Sequence, residues 1–326
     1  MIRMSRVLAC AALFLALPAF AQSVVAPMSE SVSVGYVMIP FTVLGDHGRP
    51  ITDLRDAEVN LTVDGAPVRS DMFEKSQNAP VSFTILLDGS GSMALAGKMD
   101  SAFAAIGALI GHRRPGDDFA LYVFAESQAV EVAPFTENPN DITRALGHVK
   151  PYGKTAFFDA LATMPERSSL GRNPSRAIIL LSDGIDNASS LTRAQLAQQL
   201  QGISVPIYSL GLREPEKQAV STRKQPREDL SDIGLLNEVA TLTGGKLYLG
   251  NTPQQIADAV SHIEDDLRAQ YLIGFAPTGK GAVKYRTISL KLTGRARAVR
   301  VRAGYLGTEP PLVASRKKLT ERKGSS

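Results

Sequence analysis

Val81 to Leu87 is a strand-length run of apolar, β-branched and aromatic residues that stops at Asp88 and passes straight into Gly89-Ser90-Gly91-Ser92. A second such run, Ala177–Leu181, ends at Ser182-Asp183-Gly184. Between them lies Lys98 to Arg114, which places Met99, Phe103, Ile106, Leu109 and Ile110 near helical spacing along one face. Further strand-like runs at Phe119–Ala125 and Val205–Leu212 alternate with amphipathic stretches at Leu191–Leu200, Leu230–Leu242 and Pro253–Leu267. Continuous apolar runs alternating with helical faces leave few solutions. The strands must be mostly parallel, joined by right-handed crossovers, with helices covering both faces of the sheet. A doubly wound α/β domain is predicted over residues 80–270.

The flanks read differently. Residues 22–79 alternate in period two, with a predicted strand before the turn at Gly45-Asp46-His47-Gly48 and another at Glu58–Val63. Asp64-Gly65 signals a tight hairpin leading to a strand at Pro67–Phe73. Residues 271–307 return to the same texture at Tyr271–Phe275, Tyr285–Leu292 and Ala298–Tyr305. The two flanks could build one small β domain, with the α/β domain inserted between them. Residues 213–229 form a charged insertion of unassigned role, and the polar, basic residues 308–326 are expected to be a disordered tail.

Residues 1–21 have the plan of a signal peptide. Arg3 and Arg6 precede the apolar stretch Val7–Leu17, and Ala19-Phe20-Ala21 supplies the small-x-small cleavage pattern. The stretch is too short to span a bilayer. The expected location is periplasmic or secreted, with no integral membrane span after cleavage. The lone cysteine, Cys10, falls inside that leader, so the mature chain can form neither a disulfide nor a thiolate metal site. A net charge of +4 with dispersed Lys and Arg gives no nucleic-acid footprint. A hydrophobic content of 44% is that of an ordinary globular protein.

In a doubly wound sheet, ligands bind outside the carboxyl ends of the strands. Three loops there carry oxygen donors: Asp88, Ser90 and Ser92 after the first strand, Gly153-Lys154-Thr155 before a helix, and Asp183 after the most hydrophobic strand. Two carboxylates and three hydroxyls are hard, weakly charged donors, suited to magnesium or manganese rather than zinc or copper. Gly89 and Gly91 are expected to let the backbone turn sharply enough to present both serines. Taken alone, Asp-Gly-Ser-Gly-Ser is equally consistent with an ordinary turn. The two further loops tip the balance toward a cation site.

The set Asp88-Gly-Ser90-Gly-Ser92, then Gly153-Lys-Thr155-Ala-Phe-Phe-Asp159-Ala, then Ser182-Asp183-Gly184 resembles the von Willebrand factor type A family and its metal-ion-dependent adhesion site. The resemblance implies a Rossmann-like sheet and a metal held at or near Ser90, Ser92 and Thr155, with Asp88 and Asp183 acting through water. The implied ion is Mg²⁺, with Mn²⁺ or Ca²⁺ as alternatives, and the implied partner is a protein that supplies a carboxylate ligand. Gly45-Asp-His-Gly-Arg-Pro-Ile-Thr-Asp-Leu and Gln270-Tyr-Leu-Ile-Gly-Phe-Ala-Pro are similar to the exported bacterial proteins called VWFA-related.

Catalysis is not expected. Gly-x-Ser-x-Gly is broken by Asp88, the phosphatase-like second carboxylate is replaced by Ser90, and no dinucleotide or phosphate loop is present. His112, His148 and His262 follow none of the three motifs. The sequence therefore points to an exported adhesion or binding module. A structural envelope scaffold whose β flanks carry the interactions is the alternative, followed by a metal-dependent hydrolase. Oligomeric state is not legible.

Overall fold

The computed structural model describes residues 36–76, 79–212, 228–250, 252–293 and 298–312. The expected leader at 1–21, most of the charged insertion, 213–227, and the expected tail from 313 onward lie outside the described residues.

Strand β1 spans Val37–Leu44, β2 Val59–Val63, β3 Ala66–Pro67 and β4 Met72–Lys75. The α/β region follows with β5 Val81–Asp88, α1 Lys98–Gly111, β6 Asp118–Phe124, β7 Val130–Thr136, α2 Pro139–Leu146, α3 Phe157–Ala162 and α4 Met164–Ser169. It continues through β8 Ser175–Ser182, α5 Arg193–Leu200, β9 Ile207–Leu212, α6 Glu228–Thr243, β10 Leu247–Gly250 and α7 Pro253–Arg268. The chain ends with β11 Tyr271–Phe275, β12 Lys284–Leu292, β13 Ala298–Val301 and β14 Gly304–Gly307.

The central sheet has six strands in the order β10-β9-β8-β5-β6-β7. All pairings are parallel except β6 with β7. Every residue of β5 is buried, as a central strand covered on both faces requires. Its side chains alternate between two cores. Val81, Phe83, Ile85 and Leu87 join the core containing α1 and α7, and Leu86 joins the one containing α3, α5 and α6. The expected doubly wound fold, helices on both faces, is what the molecule adopts.

Helix α7 shows how local sequence sets an element. Thr252 accepts a hydrogen bond from the Gln255 amide at 3.3 Å, and Pro253 follows at the first helical position. Ile256, Ala259, Val260, Ile263 and Leu267 then form its buried stripe.

Two antiparallel four-stranded sheets complete the described residues, β13-β1-β11-β4 and β14-β12-β2-β3. They share one core, in which Phe41, Val43, Leu61, Val63, Tyr271, Phe275 and Leu290 are buried. Strand β12 alternates exposed and buried positions, the signature of a strand with one wet face.

Three expectations are corrected. The single strand expected at Pro67–Phe73 is two short strands in different sheets, β3 beside β2 and β4 beside β11. The strand expected at Ala298–Tyr305 also divides, β13 pairing with β1 and β14 with β12. The change of sheet falls at Arg302-Ala303, where the Ala303 amide bonds to Leu242 O at 3.1 Å and Gly304 lies so close to Arg286 O that a Cβ would meet it at 2.3 Å. Lastly, residues 308–312 do not belong to a disordered tail. The Arg69 amide bonds to Pro311 O at 2.9 Å, the Thr278 amide bonds to Glu309 O at 2.9 Å, and Val68 bridges Leu312.

Candidate metal centre

The chain leaves β5 for β6 and β7 on one side of the sheet, then returns to β8, β9 and β10 on the other. The direction of winding therefore reverses between β5 and β8, and the carboxyl ends of those two strands carry Asp88 and Ser182.

Asp88 is fully buried, and both its oxygens are used. Oδ1 accepts the Ser90 amide at 2.9 Å, and Oδ2 accepts the Ser182 hydroxyl at 2.6 Å. Burial pushes its carboxyl up to about 6, against the opposing effect of the bonds from Ser182 and Ser90, while the nearby Asp183 charge adds to the rise. Ser90 is buried as well, and its Oγ lies 3.1 Å from Ser92 Oγ.

The Thr155 loop is fastened to this one by the backbone. The Tyr152 amide donates to Gly89 O at 2.9 Å, and the Gly91 amide to Gly153 O at 3.0 Å. This contact explains Gly91, since a Cβ there would meet Gly153 O at 3.0 Å. At Gly89 a Cβ would meet the Val123 side chain at 2.7 Å. Neither glycine has a positive φ, so the sharp-turn role expected for them is corrected to close approach between neighbouring segments.

Thr155 is buried, and it is held by residues of the loop that follows the third motif. Its amide donates to Asn187 Oδ1 at 2.8 Å, and its carbonyl accepts the Asn187 and Ala188 amides, each at 3.0 Å. Asp186 Oδ1 accepts the Phe157 amide at 2.9 Å, and Ser189 Oγ accepts the Phe158 amide at 2.9 Å, satisfying the start of α3. Asp159 returns the tie by accepting the Ser190 and Leu191 amides at 2.9 Å each. The signal for these roles was an Asx and serine cluster just after the third motif.

Asp183 completes the set, its side chain 5% exposed and paired through Oδ2 with Lys98 Nζ at 2.8 Å. The structure thus brings the loops of Asp88, Ser90, Ser92, Thr155 and Asp183 to one edge of the sheet. Among the described residues, no group of three or more His, Cys, Asp or Glu comes together as a metal site, so any divalent ion here would depend on hydroxyls. The donors suit a small octahedral ion. Cis ligands at 2.0–2.1 Å from magnesium stand about 2.9 Å apart, close to the 3.1 Å between the two serine oxygens.

His112, His148 and His262 are engaged elsewhere. His112 Nδ1 lies 3.4 Å from Glu264, His148 bonds to Arg144 O, and His262 stacks on Tyr248.

Residues 83–185 match the family model of the von Willebrand factor type A domain. The matched stretch lies within the six-stranded α/β region. A curated protein of Borreliella burgdorferi, described as uncharacterized, is 24% identical over 153 residues, which is 43% of this chain and 43% of that protein. The chain therefore spans less than half the length of that relative. Among solved structures, a von Willebrand factor type A protein from Catenulispora acidiphila is 15% identical, covering 84% of this chain and 74% of its own, with a TM-score of 0.47. An aerotolerance-related membrane protein from Bacteroides fragilis is 20% identical, covering 57% of this chain and 98% of its own, with a TM-score of 0.45.

Proposed function

We propose that the chain is an exported binding module whose Asp88, Ser90, Ser92, Thr155 and Asp183 hold a magnesium-type ion that is completed by a carboxylate of a protein partner. The observation that carries this reading is the convergence of three separate loops on one edge, with the Ser90 and Ser92 hydroxyls 3.1 Å apart. When bound, such an ion supplies an electrophilic position for an anionic oxygen. Ser90, Ser92 and Thr155 would hold it directly. Both Asp88 oxygens are already engaged by protein donors, which favours contact through water for that residue. A single metal–carboxylate bond needs surrounding surface to reach useful affinity. Tyr152 and Leu95 stand 62% and 56% exposed beside the loop and offer apolar contact area. The leader pattern of residues 1–21 supports export, and among the described residues no helix is long and apolar enough to cross a membrane.

The test is calorimetry with Mg²⁺ on the mature chain and on Ser90→Ala, alongside a pull-down from envelope extract with Mg²⁺ or chelator. The reading expects binding by the parent protein, its loss in the variant, and a partner retained only with metal. Unchanged Mg²⁺ affinity in Ser90→Ala would remove the assignment.

A further inference from the structure

The pairing of Lys98 with Asp183 is the feature that the adhesion-site pattern does not require. Lys98 opens α1, yet its side chain is only 8% exposed and its ammonium meets Asp183 Oδ2 at 2.8 Å. Lysine is rarely buried unless paired, because removing an ammonium from water is costly. Here it is paired with one of the two acids of the candidate centre.

The consequence is electrostatic. With Asp88 ionised, the two carboxylates and the Lys98 ammonium leave one net negative charge. A divalent ion would turn that into one net positive charge, and a single carboxylate from outside would bring the site to neutrality. Without Lys98, the metal alone would neutralise the pair of acids, and an incoming carboxylate would carry the site negative. Charges at this burial act on one another with little screening.

We propose that Lys98 is a built-in counter-ion that couples metal loading to ligand capture, weakening the divalent ion when the site is unliganded and strengthening the hold on a carboxylate once it docks. This deepens, and rests on, the metal-binding reading above. By linkage, the carboxylate must then raise metal affinity by the same factor by which the metal raises carboxylate affinity.

The test uses the whole mature chain and its Lys98→Met and Lys98→Gln variants. Mg²⁺ affinity is measured by calorimetry with and without excess acetate as the carboxylate probe, and melting temperature is followed in parallel. Lys98→Gln keeps a hydrogen-bond donor toward Asp183 and serves if the methionine variant folds poorly. Both variants are expected to bind Mg²⁺ about tenfold or more tightly without acetate and to gain less from acetate than the parent. They should melt lower without metal, since Asp183 loses its charged partner, and be raised further by Mg²⁺. Affinity unchanged or weakened in both variants would overturn the counter-ion role while leaving the metal site intact. Absence of Mg²⁺ binding in all three proteins would bring down the metal reading and this inference with it.

Discussion

Arg268, at the end of α7, closes on Asp117, just before β6, with Nη2 2.5 Å from Oδ2. Both side chains are buried, and the contact ties together the two places where the chain crosses between the α/β region and the β-sandwich. Arg268 Nη1 donates to Ala79 O at 2.8 Å, on the way into the α/β region, while Asp117 Oδ1 accepts the Val81 amide at 2.8 Å. Removing the guanidinium would strand a buried carboxylate. Arg268→Ala should therefore destabilise the protein by about 3–5 kcal/mol, read as a lower denaturant midpoint. A loss below about 1 kcal/mol would show that the pair is replaceable by water.

Asn187 holds Thr155 without being a candidate ligand. In Asn187→Ala the buried Thr155 amide loses its acceptor, at a cost of about 1–3 kcal/mol. Mg²⁺ affinity should fall while the Asp88–Ser182 contact persists. Calorimetry and thermal melts measured on the same sample separate the two effects, and an unchanged affinity would free Thr155 from any dependence on Asn187.

Gly91→Ala probes the contact between loops. Its Cβ would sit 3.0 Å from Gly153 O, so the Asp88–Ser92 loop and the Thr155 loop must separate slightly. The expected result is a modest stability loss of about 1 kcal/mol with a larger drop in Mg²⁺ affinity. Equal metal affinity in the variant would mean that the spacing between these loops does not tune the site.

Glu264 gives a pH signature away from the Asp88 loop. Burial pushes its carboxyl up to about 7, against the nearby His112, and its Oε1 is buried without a hydrogen bond among the described residues. The folded protein keeps a proton that the unfolded chain has released. The stability contributed by this group is thus complete below the ordinary glutamate range and is lost as pH rises through about 7. Glu264→Gln should melt higher than the parent by roughly a few degrees at pH 8 and show no gain at pH 5. Parallel melting curves across that range would contradict the assignment.

The parallel sheet was readable because buried strands announce themselves. Val81–Leu87 and Ala177–Leu181 are continuous apolar runs, and each leads directly into a loop that carries candidate ligands. Helix α7 was visible for an equally local reason, the amphipathic stretch Pro253–Leu267. What escaped was set by distance in sequence. Nothing near Ala298–Tyr305 signals that its halves join different sheets, because β13 pairs with β1 at the far end of the chain while β14 pairs with the preceding strand β12. That the Asp88, Thr155 and Asp183 loops share one sheet edge was legible from residue type and spacing. Asn187, Asp186 and Lys98 were not, since their roles arise only when three loops and the start of α1 meet.

The β-sandwich also sets an order of assembly. Strand β1 pairs with β11 and β13, and Val37 meets Phe275 across more than about 200 intervening residues. A chain made from its amino end must carry Ile39, Phe41 and Val43 without their partners until β11 has emerged. The α/β region can complete its sheet first, from strands that are close neighbours in sequence. During synthesis the vulnerable species is then a finished α/β region trailing a bare hydrophobic strand, the form most exposed to misassociation and to capture by a chaperone.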